Sequence, residues 1–521
     1  KDMKEGNKVI SASFSEMKFG NEDNEKVFVN PDVKEIYNIK TNCQINCSSL
    51  HRFFSIDDFG VAEKEAKNLK VGDFVAQVGK MEIEGEERTI PQFKLKKIGK
   101  ISIEQGEEIS KELRDKGFNR KEVCSNIGIT PRQFRRVLNQ EYPTSFEVFE
   151  NLQNNFGTQQ VLQMVPIVSY KHRNLIIPET LNHTFGQIFG YFIGDGNFED
   201  RGLRFRDARV EVLGVYRSMF KQLFNVDGKI SKMSSKNCYT LSINSKEIRD
   251  LFELMLPSIL NEVGKSKKEV ALAFIKGFFD AEGHINKKRA YVSAVQKNPQ
   301  ILRYLQLFLL RLGIRSTIKF GIGAKKMNVI RIIDKDVKGY SQIGFTASDK
   351  QKILIDRVNA LEQTYSYEMM PVKREELRQL LERCGLRYSS IIKSRTKDYV
   401  WVSRRELEKA FDALMNCVVK DRQLKQKIDF IFRLLKKDIV FEKIKEINIT
   451  ENTGNIFYDF AVPSKENYIA NGFIVHNSTY RVYLRRGKQG SRVAKMIDAP
   501  NLPENEAAFY LTVNGVRDEG A

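Results

Sequence analysis

Near its C-terminal end the chain carries His476-Asn477-Ser478, an imidazole, a carboxamide and a hydroxyl at successive positions behind the apolar run Phe473-Ile474-Val475. These groups suit the cutting of a peptide bond. An asparagine side-chain nitrogen can attack its own backbone carbonyl, closing a succinimide and breaking the chain after itself. A neighbouring histidine can move the protons, and the next serine is a nucleophile. The scissile bond would be Asn477–Ser478. Alone, the octapeptide from Asn471 to Ser478 reads equally well as a buried strand ending at a polar turn. A second constellation lies far upstream, where Ser48 precedes His51 by three positions and the aromatic run Arg52-Phe53-Phe54-Ser55 follows.

The elements around these residues are strand-like. From Val33 to Val78 short alternating segments such as Glu35-Ile36-Tyr37-Asn38-Ile39 and Val71-Gly72-Asp73-Phe74-Val75-Ala76 are separated by polar and glycine turns, so this part reads as a small β domain. At 521 residues and 41% hydrophobic content, several domains with buried cores are expected. A net charge of +20 favours a polyanionic partner, because lysine and arginine that neutralise phosphates release counterions; nucleic acid is the natural candidate. The sequence has no apolar run near the length of a membrane span and no signal-peptide pattern over Lys1–Ile10, which points to no membrane partner and a cytoplasmic location. Cys43, Cys47, Cys124, Cys238, Cys384 and Cys417 form no paired Cys-x-x-Cys sets and are expected as reduced thiols.

Two further segments carry carboxylates. Ile188-Phe189-Gly190-Tyr191-Phe192-Ile193-Gly194-Asp195-Gly196 and Ile275-Lys276-Gly277-Phe278-Phe279-Asp280-Ala281-Glu282-Gly283 both read as apolar helices with small residues, each ending in a carboxylate and glycine. Small residues let two helices approach closely, which would bring Asp195 and Glu282 together at the base of the pair, where they can hold Mg²⁺. The stretches Val210–Ile243 and Tyr291–Ile343 are expected to supply strands bearing Arg and Lys for a duplex. Arg120 to Leu138 reads as helix, glycine turn and a second helix opened by Thr130-Pro131, with Arg132, Gln133, Arg135 and Arg136 mainly on its outer surface. A small helical spacer with a solvated basic face is the alternative.

Taken together, Ser48-x-x-His51 and the closing segments Tyr458-Asp459-Phe460-Ala461-Val462, Asn467-Tyr468-Ile469-Ala470-Asn471-Gly472 and Val475-His476-Asn477-Ser478 resemble an intein. The resemblance implies splicing without a cofactor. A first-position nucleophile converts the preceding amide to an ester, Ser478 takes over the acyl group, Asn477 cyclises with help from His476, and the ester rearranges to an amide. Ser48 and His51 would activate the upstream junction, His51 protonating the departing nitrogen and Asp459 tuning the attacking group. The family usually begins with Cys; Ser13 fills that place here, as a natural variant or a replacement, and a hydroxyl should react more slowly. The two carboxylate-bearing segments resemble the paired helices of LAGLIDADG homing endonucleases, which implies metal-binding roles for Asp195 and Glu282, with Lys246 and Lys350 as the assisting basic residues.

The flanks resemble another family. Ser478 to Lys488, Ile497 to Glu504 and Val513 to Asp518 look like the C-terminal end of archaeal RadA recombinases, and joining Ala12 directly to Ser478 gives that family's spacing between its glycine turn and Arg481. The sequence holds no Gly-x-x-x-x-Gly-Lys-Ser/Thr loop, so an ATP-binding part is not expected here. The organisation read from the sequence is multidomain. RadA-like flanks occupy 1–12 and 478–521, and an all-β Hint splicing domain occupies 13–100 and 438–477. Inserted in it are a helix-turn-helix-like DNA-binding part at 101–165, an α/β endonuclease of αββαββα type at 166–365 and a helical accessory DNA-binding region at 366–437. The expected partner is double-stranded DNA, the intein-free host allele, met by a monomer. The alternatives are a DNA-binding or recombination protein without splicing, and a splicing intein whose endonuclease is inactive.

Overall fold

The computed structural model describes residues 4, 6–30, 33–81, 83–91, 101, 103–115, 117, 119–139, 148, 151–152, 175–233, 237–361, 368–392, 400–417, 420–462, 464–477, 481–488, 490–498, 505–512 and 515–518. Ser478 lies outside the described residues. The chain condenses into two compact units, one of residues 1–82, 313–317 and 365–521, the other of residues 83–312 and 318–364.

In the first unit, strands from the two ends of the chain pair with each other. Lys26–Asn30 pairs antiparallel with Phe457–Ala461, Glu35–Lys40 with Glu446–Glu451, and Phe74–Val78 with Ile439–Lys443. The last apolar run, Phe473–His476, lies inside a sheet between Phe74–Val78 and Arg52–Asp57, with Val475 opposite Phe53. That position explains its composition: a central strand is covered on both faces, and Phe473, Ile474 and Val475 are fully buried. Asn467–Ala470 folds back on it as a hairpin in which Asn467 faces His476. Asn471 and Gly472 both have positive φ, at 50° and 84°, as a tight two-residue hairpin turn requires. Lys8–Ser13 forms a second hairpin with Lys18–Asp23. The C-terminal flank is an antiparallel meander of Arg481–Arg486, Arg492–Asp498, Glu506–Thr512 and Gly515–Arg517.

Residues 369–435 include more than helices. Met369–Lys373 and Trp401–Ser403 pair as a small antiparallel ribbon, each strand leading directly into a helix, Arg374–Arg383 and Arg404–Met415. The apolar stripe of this segment, including Val372, Leu377, Val402, Leu407 and Leu434, joins one core with Ala12, Phe54, Phe74 and Ile474 of the β part.

The second unit contains a structural repeat. Each half runs helix, hairpin, helix, hairpin and further helices. The first half starts at His183–Asp195 and the second at Lys268–Glu282, and both halves form four-stranded sheets in the same strand order. The strands expected through Val210–Ile243 begin later, since Val210–Phe224 is a helix and the strands are Lys229–Lys232 and Tyr239–Ile243. Val212, Leu213, Tyr216, Phe220 and Phe224 recur at helical spacing and are all buried, and that period outweighs local β propensity. Likewise, Pro299–Arg311 is a helix within Tyr291–Ile343.

Candidate functional site

The two leading helices of the repeat pack backbone to backbone. A Cβ at Gly190 would lie 2.1 Å from Phe274 O, and one at Gly277 would lie 1.9 Å from Gln187 O, so only glycine permits this approach. Gly194 continues the contact, a Cβ there falling 2.6 Å from Ala281 Cβ and 3.2 Å from Glu282 Cγ. Asp195 and Glu282 end the two helices, and the Asp195 charge acts on Glu282. Burial and the Asp195 charge push the Glu282 carboxyl up to about 7, against an opposing pull from Lys350. Burial also raises Asp195, with Arg206 opposing it. Lys350 donates to Gly283 O at 2.7 Å, and burial depresses its pKa. Lys246 is exposed at the first position of Lys246–Met255 and forms no ion pair with either carboxylate.

At the other candidate centre, sheet pairing sets the geometry. His476 is buried, and its Nδ1 lies 2.7 Å from the Asn477 carbonyl oxygen. A carbonyl only accepts, so in this contact Nδ1 carries the proton. Nε2 lies 3.4 Å from Glu63 Oε1, at ion-pair rather than hydrogen-bond geometry. Asn477 is held by its backbone N–H on Glu466 O at 3.0 Å and by Nδ2 on Val462 O at 3.1 Å, while its buried Oδ1 has no hydrogen-bond partner among the described residues.

Of the upstream residues, His51 leads into Arg52–Asp57 of the same sheet, while Ser13 ends Lys8–Ser13 and Asp459 lies in Phe457–Ala461, each strand in a two-stranded sheet. His51 N donates to Ser48 O at 3.3 Å, closing the turn that leads into Arg52–Asp57, and Ser48 is half-buried. His51 Nδ1 lies 3.5 Å from Asp459 Oδ2, and Asp459 Oδ1 accepts from Tyr468 OH at 2.7 Å. Ser13 Oγ is 3.1 Å from Ser15 Oγ. Its neighbour Phe14 packs on Phe54 at 4.7 Å between ring centroids, and Phe54 in turn packs on His476 at 5.7 Å. Phe14 and His476, distant in sequence, thus pack on the same aromatic ring.

The family model described as the intein splicing domain matches residues 1–477. The chain belongs to the intein splicing-domain family. The Rad51 family model matches residues 447–519. This intein is 25% identical to the glutamine–fructose-6-phosphate aminotransferase of Methanocaldococcus jannaschii over 91% of the chain and 44% of that protein. It is 34% identical to the DNA repair and recombination protein RadA of Methanocorpusculum labreanum over 19% of the chain and 28% of that protein. The chain spans less than half the length of these curated relatives. Among solved structures, I-DmoI in complex with DNA and calcium aligns with 35% of the chain and 99% of its own at 21% identity and a TM-score of 0.28.

Elsewhere in the intein, Arg120–Ile127 ends at Gly128 with φ 77°, and Pro131–Leu138 opens with a capping box between Thr130 and Gln133. Arg132, Gln133 and Arg135 are exposed and Arg136 is half-buried, but Gln133 Oε1 is taken up by Thr130 N at 2.9 Å. Asn467, Tyr468 and Asp280 lie in segments singled out in the sequence, but no role for them was legible there. Asp280 is buried within an apolar helix and accepts from Tyr216 OH at 2.8 Å and from Thr346 N at 2.7 Å, tying the two halves of the repeat together. A charged residue within an apolar run was its one signal.

Proposed function

We propose that this intein excises residues 13–477 and joins RadA-type flanks, and that it carries a homing endonuclease acting on double-stranded DNA. The β part is then a Hint splicing domain. The observation that carries the splicing reading is the contact of His476 Nδ1 with the Asn477 carbonyl, 2.7 Å away and beside the amide that must attack it. In the first step Ser13 Oγ bonds to the Ala12 carbonyl carbon, the carbon–nitrogen bond to Ser13 breaks, and the hydroxyl proton ends on the amine, delivered by His51. Ser48 supports this junction, and Asp459 orients His51 and tunes the attacking group. Ser478 Oγ next displaces Ser13 from the ester. Asn477 Nδ2 then attacks its own carbonyl carbon while His476 Nδ1–H holds the developing oxyanion, and the bond to Ser478 breaks as a proton given up by Nδ2 ends on the released Ser478 nitrogen. Finally the acyl group passes from Oγ to the nitrogen of Ser478, the nitrogen's proton ends on Oγ, and the ester becomes an amide.

The long matches run through proteins of unrelated name, the aminotransferase and elongation factor 2 of Methanopyrus kandleri, as expected for a segment that moves between hosts. In the second unit, two partly buried carboxylates, both raised by burial and Glu282 further by the Asp195 charge, fit a hard divalent cation. Asp195 and Glu282 would hold Mg²⁺, which when bound supplies charge to neutralise phosphate oxygens. No group of three or more His, Cys, Asp and Glu suited to a metal occurs among the described residues, so other oxygen ligands must complete the shell. Lys350, beside Glu282, offers a cation to the phosphate, and Lys246 serves the other half. Arg132, Gln133, Arg135 and Arg136 contact DNA outside the cut. Both activities are tested in one chain: Asn477→Ala should abolish cleavage at the downstream junction, and Asp195→Asn should abolish cutting of a duplex encoding the joined flanks. Unchanged products in both variants would overturn the reading.

A further inference from the structure

Asn467 is 2% exposed, and its side chain is fully engaged. Oδ1 accepts from Ala12 N at 2.7 Å, and Nδ2 donates to Ala12 O at 3.0 Å and to Lys465 O at 2.7 Å. The amide therefore grips both backbone groups of one residue, as a neighbouring strand would. The Lys465 bond fixes its orientation, because a flipped amide would set oxygen against two carbonyls and nitrogen against an N–H. The gripped residue is the one whose carbonyl carbon Ser13 attacks.

We propose that Asn467 is a catalytic residue of the upstream junction, its Nδ2–H stabilising the negative charge that develops on Ala12 O. The inference rests on the splicing reading with Ser13 as the first excised residue. As Ser13 Oγ bonds to the Ala12 carbonyl carbon, the carbonyl electron pair moves onto oxygen, where Nδ2–H is already in place. When the pair returns, the bond to the Ser13 nitrogen breaks and that nitrogen takes up the proton from the hydroxyl. A donor placed before charge develops needs no reorganisation during the step. Its position also connects the two junctions. Asn467 lies opposite His476 in the closing hairpin, and the next residue, Tyr468, donates to Asp459, which faces His51.

The test uses the full chain in two backgrounds. With Asn477→Ala, hydroxylamine-dependent cleavage after Ala12 reports ester formation; with Ser13→Ala, cleavage after Asn477 reports cyclisation. Asn467→Asp keeps the acceptor for Ala12 N and removes the donor to Ala12 O, and Asn467→Ala removes both. Upstream cleavage should fall on the order of 10²-fold in both variants, while downstream cleavage stays within about threefold. Equal slowing at both junctions would mark a structural clamp and overturn the assignment, as would an unchanged upstream rate. If neither junction cleaves with Asn467 intact, the splicing reading itself fails.

Discussion

Replacing Gly190 by Ala places one methyl group where the two helices of the repeat touch. The new Cβ would sit 2.1 Å from Phe274 O and 2.9 Å from its carbonyl carbon, both backbone atoms that cannot rotate away. Relief requires the helices to part by about 1 Å, an overpacking cost of about 1–3 kcal/mol, toward the upper end because backbone must move. Removing a glycine from a helix returns up to about 1 kcal/mol, leaving a net loss of about 2 kcal/mol and a Tm lower by about 4–8 °C. The same parting displaces Asp195 relative to Glu282, and a misplacement near 1 Å costs about 10²-fold in rate. Gly214→Ala is the matched control, since a Cβ there meets nothing within 4 Å inside the helix Val210–Phe224. It should be neutral or stabilising and leave DNA cutting unchanged. The assays are calorimetry and cleavage of a labelled duplex, with junction cleavage as internal reference. Indistinguishable behaviour of the two variants would refute the close-contact argument.

Glu282→Gln should stabilise the metal-free protein in a pH-dependent way. A carboxyl raised to about 7 keeps its proton longer in the folded chain than in the unfolded one, so its penalty is absent below pH 4.5, grows from there to about 7 and is full above it. The gain should be about 1 kcal/mol at pH 8 after allowance for solvent screening, and absent at pH 4; thermal melts at both pH values check this, and a gain at pH 4 alone would reverse the sign. Tyr468→Phe removes the donor to Asp459 and should slow upstream cleavage by about tenfold, with a stability loss near 1 kcal/mol; hydroxylamine trapping in the Asn477→Ala chain measures it. Burial pushes the Cys43 and Cys47 thiols up to about 12, so both should resist alkylation at pH 8 until denaturant is added, as peptide mapping would show.

Much of the site was legible because its chemistry sits in unusual residue orders. His476-Asn477 and Ser48-x-x-His51 could be read without a structure, and small residues followed by carboxylates marked Asp195 and Glu282. Sequence alone could not show that Phe54 stands between Phe14 and His476, because the contacts come from segments distant in the chain, Phe54 and His476 by hundreds of residues. Asn467 remained hidden for the same reason: an asparagine in a strand carries no local signal that its amide will bind Ala12. The helix at Val210–Phe224 was masked by β-branched and aromatic residues whose helical spacing matters more than their propensity. Lys350 lies beside Glu282 while Lys246 lies exposed at a helix start, a difference that depends on packing, not on residue type.

Whether the chain splices can be read from intact-mass spectrometry of the full chain during incubation. A species spanning Ser13–Asn477, one water lighter than the same sequence with a free C-terminal asparagine, should appear together with a product joining Ala12 to Ser478. Persistence of the full-length mass alone, in the native chain and equally after Ser13→Cys, would contradict splicing.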